Sequence, residues 1–405
     1  MGVRVAALAF WLFTLASILP PDSFGWIASL LAIAAVCALI APVGVPYLFF
    51  GAVHRDGGKE ATKYWRDAVA ALSLLGPALA LLASWGFVLW IDSPIPLVWV
   101  VSFLMVEITL CSFVQTGALW MHAHGNFGSA VGLPALLMVS RAVAAILAMS
   151  FEQSSAMGYL GFHLIGTVAV AGLVAWRAEV IRRGLPRPGL PSWTTLSKSA
   201  SYGLMGAGTI FSSELDKPLI ARVLGLGVAG VYSIAYRLVA TLATPATALA
   251  AAMLPRWSAM VERGDRAGLR QSFLFSCLGA LMLGFLFLIL VRAAADIDLG
   301  SQWGEYDDVL EWMDRLAWIV AGLGLHQIAG TALIAAGRPL LRAAVDLAIF
   351  FGLVGLMPLL NARYGLDGVA SLLIAAEFAA GAIMACAFLF APCRRRLACA
   401  SGVQI

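Results

Sequence analysis

Glu107, Arg141, Glu214, Asp216, Lys217, Arg237 and Glu377 interrupt stretches of this chain that are otherwise almost free of charge. Arg141, Lys217 and Arg237 supply positive charge inside otherwise apolar stretches, as a central polar cavity would need. Arginine can meet two oxygens of one anion at once with its planar fork. Glu107, Glu214, Asp216 and Glu377 can balance those cations. A purely structural role is the competing alternative. Glu214 and Lys217 are spaced i, i+3 and can neutralise each other on one helix. Glu107 and Arg141 can serve only to join two helices.

Weaker polar signals surround these groups. Glu107, Cys111 and Gln115 recur at i, i+4, i+8, a stripe expected to face protein rather than lipid. His163, His326, Gln115 and Gln327 are candidates for lining a polar cavity. Either histidine can be proton-linked, because imidazole titrates near neutrality, or can simply be hydrogen-bonded in packing. Asp346 follows Arg342 by four residues near a helix end and is expected to form a surface pair with it. The stretch 122-HAH-124 has no third ligand, so no metal site is assigned. The six cysteines show neither zinc-like spacing nor a disulfide framework and are expected as small packing residues.

The elements that hold these groups must be membrane helices. The 405 residues are 61% hydrophobic and 12% charged, with a mean hydropathy of +0.92. A soluble domain carries about 25% charged residues. Apolar runs of about 18–25 residues, long enough to span a bilayer, recur along the chain. Reading them between polar breaks predicts twelve spans, at about 3–19, 24–51, 67–91, 96–120, 128–150, 156–176, 199–222, 228–254, 270–291, 313–336, 342–360 and 368–392. Residues 1–20 are read as a retained first span rather than a cleaved signal peptide.

Lys and Arg set the orientation. With the N-terminus inside, inner segments hold Arg4, the 55–66 group, the 177–198 group, the 256–270 group, Arg338 with Arg342, and Arg394–Arg396. Both termini are therefore expected in the cytoplasm. The formal net charge of +4 follows this topology and does not predict nucleic-acid binding. The acidic outer segment at about 292–312 reads as a solvated cap without chemistry. A basic, Pro- and Gly-rich cytoplasmic linker, 177–198, separates an N-terminal six-helix lobe, 1–176, from a C-terminal six-helix lobe, 199–392. Residues 393–405 form a cytoplasmic tail.

The two lobes read as a parallel repeat. Placing Gly25 on Gly230 aligns 15-LASILPPDSFGWIAS-29 with 220-IARVLGLGVAGVYSI-234, and the break between two helices has the same length in each. Such a repeat implies two lobes related by an axis along the membrane normal. A helix rise of about 1.5 Å per residue across a core of about 30 Å puts Glu107, Arg141, Lys217, Arg237 and Glu377 within a turn or two of the midplane. An ionisable group there costs at least about 2.5–3.5 kcal/mol, so it normally faces protein or a water-filled path. An all-α polytopic protein with a central polar cavity is the expected architecture.

The segment 216-DKPLIARVLGLGVAGVYSIAYRL-238 resembles the seventh-to-eighth span hairpin of polysaccharide (O-antigen type) lipid-linked oligosaccharide flippases. These belong to the multidrug/oligosaccharidyl-lipid/polysaccharide (MOP) exporter superfamily. The stretches 19-LPPDSFGWIASLLAI-33, 333-LIAAGRPLLRAAVD-346 and 364-YGLDGVASLLIAAE-377 are similar to its opening hairpin and its last three spans. The first span is short by that comparison. The resemblance implies two six-helix lobes, alternating access, and flipping of an undecaprenyl-diphosphate-linked glycan from the cytoplasmic to the outer leaflet of the bacterial inner membrane. It further implies membrane lipid, H⁺ or Na⁺ as coupling ion, and work beside polysaccharide polymerase and chain-length machinery. Arg141, Lys217 and Arg237 would then form the anion site for diphosphate or acidic sugar, and Glu107, Glu214, Asp216 and Glu377 would balance them or accept the coupling ion.

Two rivals remain at this stage. A drug or cation antiporter of the same superfamily needs a pocket dominated by carboxylates, which the three cations oppose. A membrane glycan polymerase or ligase needs catalytic groups on a sizeable outer loop, and only the short acidic one is available. The chain has neither G-x-x-x-x-G-K-[ST] nor G-x-S-x-G, so ATP-driven transport, hydrolase chemistry and a cofactor are not expected.

Overall fold

Long runs of Leu, Ala, Val, Ile and Phe leave each helix apolar on most of its circumference, as lipid demands of a segment whose backbone must bond to itself. The computed structural model describes residues 2–53, 58–91, 95–150, 156–177, 190–295, 306 and 308–390. Twelve helical spans can be followed among them. The first six are α1 (Gly2–Ile18), α2 (Pro21–Ile40), α3 (Lys59–Trp90), α4 (Leu97–Ala123), α5 (Phe127–Ser150) and α6 (Ala156–Arg177). The next is α7, broken into Trp193–Glu214 and Asp216–Leu224, and then α8, bent between Leu226–Leu242 and Thr244–Arg263. The last are α9 (Arg266–Ala295), α10 (Asp308–Arg315 and Ile319–Ala335), and Pro339–Phe390, which Gly365 divides into α11 (339–364) and α12 (366–390).

Seven of the described helices are long and apolar enough to cross a membrane by themselves, and the bent pairs in α8 and α10 qualify as joined spans. The protein is an all-α, multi-pass membrane protein. The second predicted span differs from its prediction. Its helix stops at Ile40, because Pro42, Gly44 at φ 72° and Pro46 turn the chain into a short 3-10 turn and a single helical turn ending at Ala52. Gly44 must be glycine for a second reason. A Cβ there would stand 2.3 Å from the backbone nitrogen of Gly203 on α7.

The chain divides into two compact units, Met1–Ile210 and Phe211–Gly402. In the first, α1 packs on α5, α5 on α6, and α4 on α5 and α6. The start of α7 is tied to this unit near Asp67 of α3, whose Oδ2 accepts from Thr195 Oγ1 at 2.6 Å and whose Oδ1 accepts from the Ser192 amide at 3.3 Å. In the second, α10 is the central element and packs on α8, α9, α11 and α12. The predicted linker lies largely outside the described residues, as do the tail and most of the acidic loop.

The aligned hairpins of the repeat correspond in structure. The alignment puts Pro20 on Gly225 and Pro21 on Leu226, and these are the turn residue and first helical residue of each hairpin. Pro20 begins α2 in an extended conformation (φ −65°, ψ 157°), whereas Gly225 adopts φ 96°, ψ 164°, a region open essentially to glycine alone.

Candidate functional site

Three buried polar clusters occupy the described spans, one in the first unit and two in the second. The first is centred on Glu107. A wide π turn covers Glu107–Cys111 in the middle of α4, a device frequent at functional sites. Glu107 Oε2 accepts from Arg141 Nη2 on α5 at 2.6 Å, and Oε1 lies 2.5 Å from His163 Nε2 on α6. The Cys111 thiol donates to Glu107 Oε2 at 3.3 Å. His163 Nδ1 faces the Tyr159 hydroxyl at 3.3 Å, which accepts from Trp11 Nε1 at 2.9 Å. These bonds run in one direction, from Trp11 through Tyr159 and His163 to Glu107. A neutral His163 with its proton on Nε2 satisfies all of them, leaving one carboxylate balanced by one guanidinium.

The second cluster sits at the break in α7. Pro218 has no amide proton to offer the Glu214 carbonyl, so the helix yields at Leu215. The Lys217 amide turns to Asp216 Oδ1 at 2.9 Å, and the Lys217 ammonium reaches the Ser213 carbonyl at 2.8 Å. That ammonium also pairs with Asp216 Oδ1 and Glu214 Oε2, each at 3.1 Å, and stands 4.6 Å from the Tyr236 ring centroid. The Tyr232 hydroxyl on α8 donates to Asp216 Oδ2. Arg237 is partly buried and within electrostatic reach of Glu214.

The third cluster is centred on His326 of α10. Its Nδ1 lies 2.7 Å from Glu377 Oε2 on α12, and its Nε2 lies 2.8 Å from Asp346 Oδ1 on α11. Arg342 adds its Nε at 3.8 Å from Asp346 Oδ2 and donates through Nη2 to Gln327 Oε1 at 3.2 Å. Small residues allow this approach. A Cβ on Gly381 would meet the His326 backbone nitrogen at 3.0 Å, and one on Gly330 would meet Arg342 Nε at 2.7 Å.

The sequence-predicted residues thus divide between the clusters. Arg141 and Glu107 pair with each other and gather His163 and Cys111. Lys217, Glu214 and Asp216 come together, with Arg237 close by. Glu377 and His326 bond directly, and Gln327 holds Arg342. Two expectations are corrected. Asp346 is not part of a surface pair. It is fully buried, because α10 and α12 close over the start of α11 and supply His326 as its partner. Gln115 does not extend the Glu107–Cys111 stripe. It is exposed, because the buried face of α4 past the π turn runs through Val114, Ala118 and Met121.

Tyr159, Trp11, Tyr232 and Tyr236 are the partners that sequence reasoning missed. Hydroxyl- and indole-bearing aromatics inside an apolar run carry a polar atom that needs a partner, and that was the available signal. His122 meets Phe50 and Phe127 edge-on, each with ring centroids 5.1 Å apart, and His124 Nδ1 lies 2.8 Å from the Trp120 carbonyl.

A family model described as polysaccharide biosynthesis protein matches residues 14–308. No curated protein matches the chain. Among solved structures, the chain resembles an inward-facing MATE family multidrug resistance transporter of the MOP superfamily. That match has a TM-score of 0.75 at 14% identity, over 95% of this chain and 92% of the other. The eukaryotic MATE transporter AtDTX14 matches with a TM-score of 0.64 at 15% identity, over 97% and 95% of the two chains. A MOP superfamily transporter from Pyrococcus furiosus, described as having a binding pocket of reversed polarity, matches with a TM-score of 0.58 at 14% identity, over 95% and 91%. At these identities the shared property is the fold.

Proposed function

The chain belongs to the polysaccharide biosynthesis protein family and has the fold of the MOP-superfamily transporters, and from these premises we propose that it flips a lipid-linked oligosaccharide. The substrate is undecaprenyl-diphosphate-linked glycan, moved from the cytoplasmic to the outer leaflet of the bacterial inner membrane for O-antigen or exopolysaccharide synthesis. The observation that carries this reading is a polysaccharide-biosynthesis family match on a chain folded as a membrane transporter.

A diphosphate cannot cross hydrocarbon unaided, so a flippase must offer it cations inside the membrane. Arg237 keeps some exposure and is the cation that meets the diphosphate, while Arg141 is held by Glu107. Lys217 is 1% exposed and acts from behind, by holding Glu214 and Asp216. The two lobes alternate access, driven by an ion gradient, while the prenyl tail stays in the bilayer. Both termini are cytoplasmic, and the flipped glycan passes to polymerase and chain-length machinery.

The test is reconstitution into vesicles with fluorescent undecaprenyl-diphosphate-linked disaccharide as probe. Leaflet exchange by the wild type that is lost in Arg237→Ala supports the reading, and absence of exchange by the wild type refutes it. A second reading, a cation antiporter, draws on the four carboxylates Glu214, Asp216, Asp346 and Glu377 in the second unit. It requires uptake of a cationic dye by the same vesicles.

A further inference from the structure

We infer that His326, Asp346 and Glu377 form a proton-binding site whose occupancy fastens α10 to both α11 and α12. The site itself stands on geometry, and only its role as the coupling site rests on the transporter reading. His326 is 3% exposed and has a carboxylate oxygen within hydrogen-bond distance of each ring nitrogen. A carboxylate only accepts, so each of the two bonds needs its own proton. A neutral imidazole carries one. The triad as built therefore holds one proton beyond a neutral histidine and two carboxylates. With Arg342 against Asp346, two positive and two negative charges then balance.

The groups facing the triad come from every neighbouring helix. Arg342 and Asp346 belong to α11, Glu377 to α12, and Gln327 to α10 itself. Tyr232 and Tyr236 of α8 lie within electrostatic reach of Glu377. The bent half of α8 and α9 meet α10 with Ala246 and Ala280, at Gly324.

Loss of the extra proton has a defined consequence. One imidazolium N–H bond breaks and the proton passes to water. The remaining imidazole holds one carboxylate by hydrogen bond and turns a lone pair toward the other. The triad with Arg342 becomes net negative, and one of the two bridges between helices opens. Tyr232, which donates to Asp216 and lies within electrostatic reach of Glu377, connects this change to the Lys217 cluster.

The first unit supplies the contrast. There an acid, Glu107, lies between two bases on α4, α5 and α6. In the second unit a base, His326, lies between two acids on α10, α11 and α12, the corresponding spans of the repeat. The first cluster closes its bonds with a neutral His163 and needs no extra proton, so the proton-responsive unit is the second.

The deciding experiment is ¹⁵N NMR of the full chain labelled at histidine, in lipid nanodiscs, with His326→Gln and His163→Gln used for assignment. At neutral pH, His326 is expected with both nitrogens protonated and His163 with one. On raising the pH, His326 loses one proton. A singly protonated His326 at neutral pH overturns the inference, and so does one that keeps both protons until the protein unfolds. A second arm uses vesicles containing the pH dye pyranine and the same undecaprenyl-diphosphate-linked disaccharide. Proton movement accompanying probe exchange, lost in His326→Gln, supports the coupling role. Probe exchange without proton movement in the wild type refutes that role and leaves the flippase reading standing. Absence of exchange refutes the flippase reading, while the NMR result still decides the proton site.

Discussion

The Arg141 guanidinium donates to Glu107 Oε2 at 2.6 Å across 34 positions of sequence, joining α5 to the π turn of α4. Arg141 is 12% exposed on its side chain and Glu107 5%, so neither charge is rescued by bulk water when the other is removed. Breaking a buried pair from one side costs about 3–5 kcal/mol, whereas replacing both partners by apolar groups can be close to neutral. Arg141→Leu is expected to lower the melting temperature in detergent strongly. The double variant Arg141→Leu with Glu107→Leu should recover much of the loss. Equal melting temperatures for the single and double variants would show that the loss does not come from an uncompensated Glu107 charge.

Lys217 and Arg237 share a hairpin but differ in surroundings. Lys217 is enclosed by two carboxylates, a carbonyl and an aromatic ring, while Arg237 is only partly buried. Lys217→Ala should therefore reduce stability first, measured as melting temperature. Arg237→Ala should leave stability near wild type and weaken probe binding about tenfold to hundredfold, the equivalent of a hydrogen bond to a charged group worth about 1.5–3 kcal/mol. A titration of lipid-linked disaccharide into each variant checks this order.

Gly225 turns the hairpin at φ 96°, ψ 164°. A Cβ at this backbone conformation is strained by about 1–3 kcal/mol, even though no neighbouring atom crowds the position. Gly225→Ala is expected to lower the melting temperature, and Gly279→Ala, which lies inside α9 with open space around it, is not. Similar effects from both would mean that the hairpin tolerates another turn.

Two glycines of α10 make a further pair. At Gly322 an added Cβ would stand 2.9 Å from Glu377 Cβ, which is fixed to the α12 backbone. At Gly330 it would stand 2.7 Å from Arg342 Nε, near the end of a flexible side chain. Gly322→Ala should force α10 and α12 apart and destabilise clearly. Gly330→Ala should be milder and act by moving Arg342 away from Gln327 and Asp346. Comparing the two melting temperatures, with probe exchange as second readout, tests that order.

Much of this protein was legible in its sequence. Helices were, because lipid forces each span to be continuously apolar and to satisfy its own backbone, and both demands are local. The repeat was, because a turn in the same register leaves a mark on each hairpin, Pro20 in one and Gly225 in the other. The i, i+3 pair of Glu214 and Lys217 was, because spacing on one helix fixes distance. Asp346 shows where this ends. Its spacing from Arg342 on α11 was visible, but its burial and its bond to His326 depend on how α10 and α12 close around it, which no local pattern carries. Whether a histidine lies beside one carboxylate or between two was decided only by tertiary packing, because those acids come from helices far apart in sequence. The sequence by itself determined that charge is placed inside the membrane. The tertiary structure decided which charges share a proton.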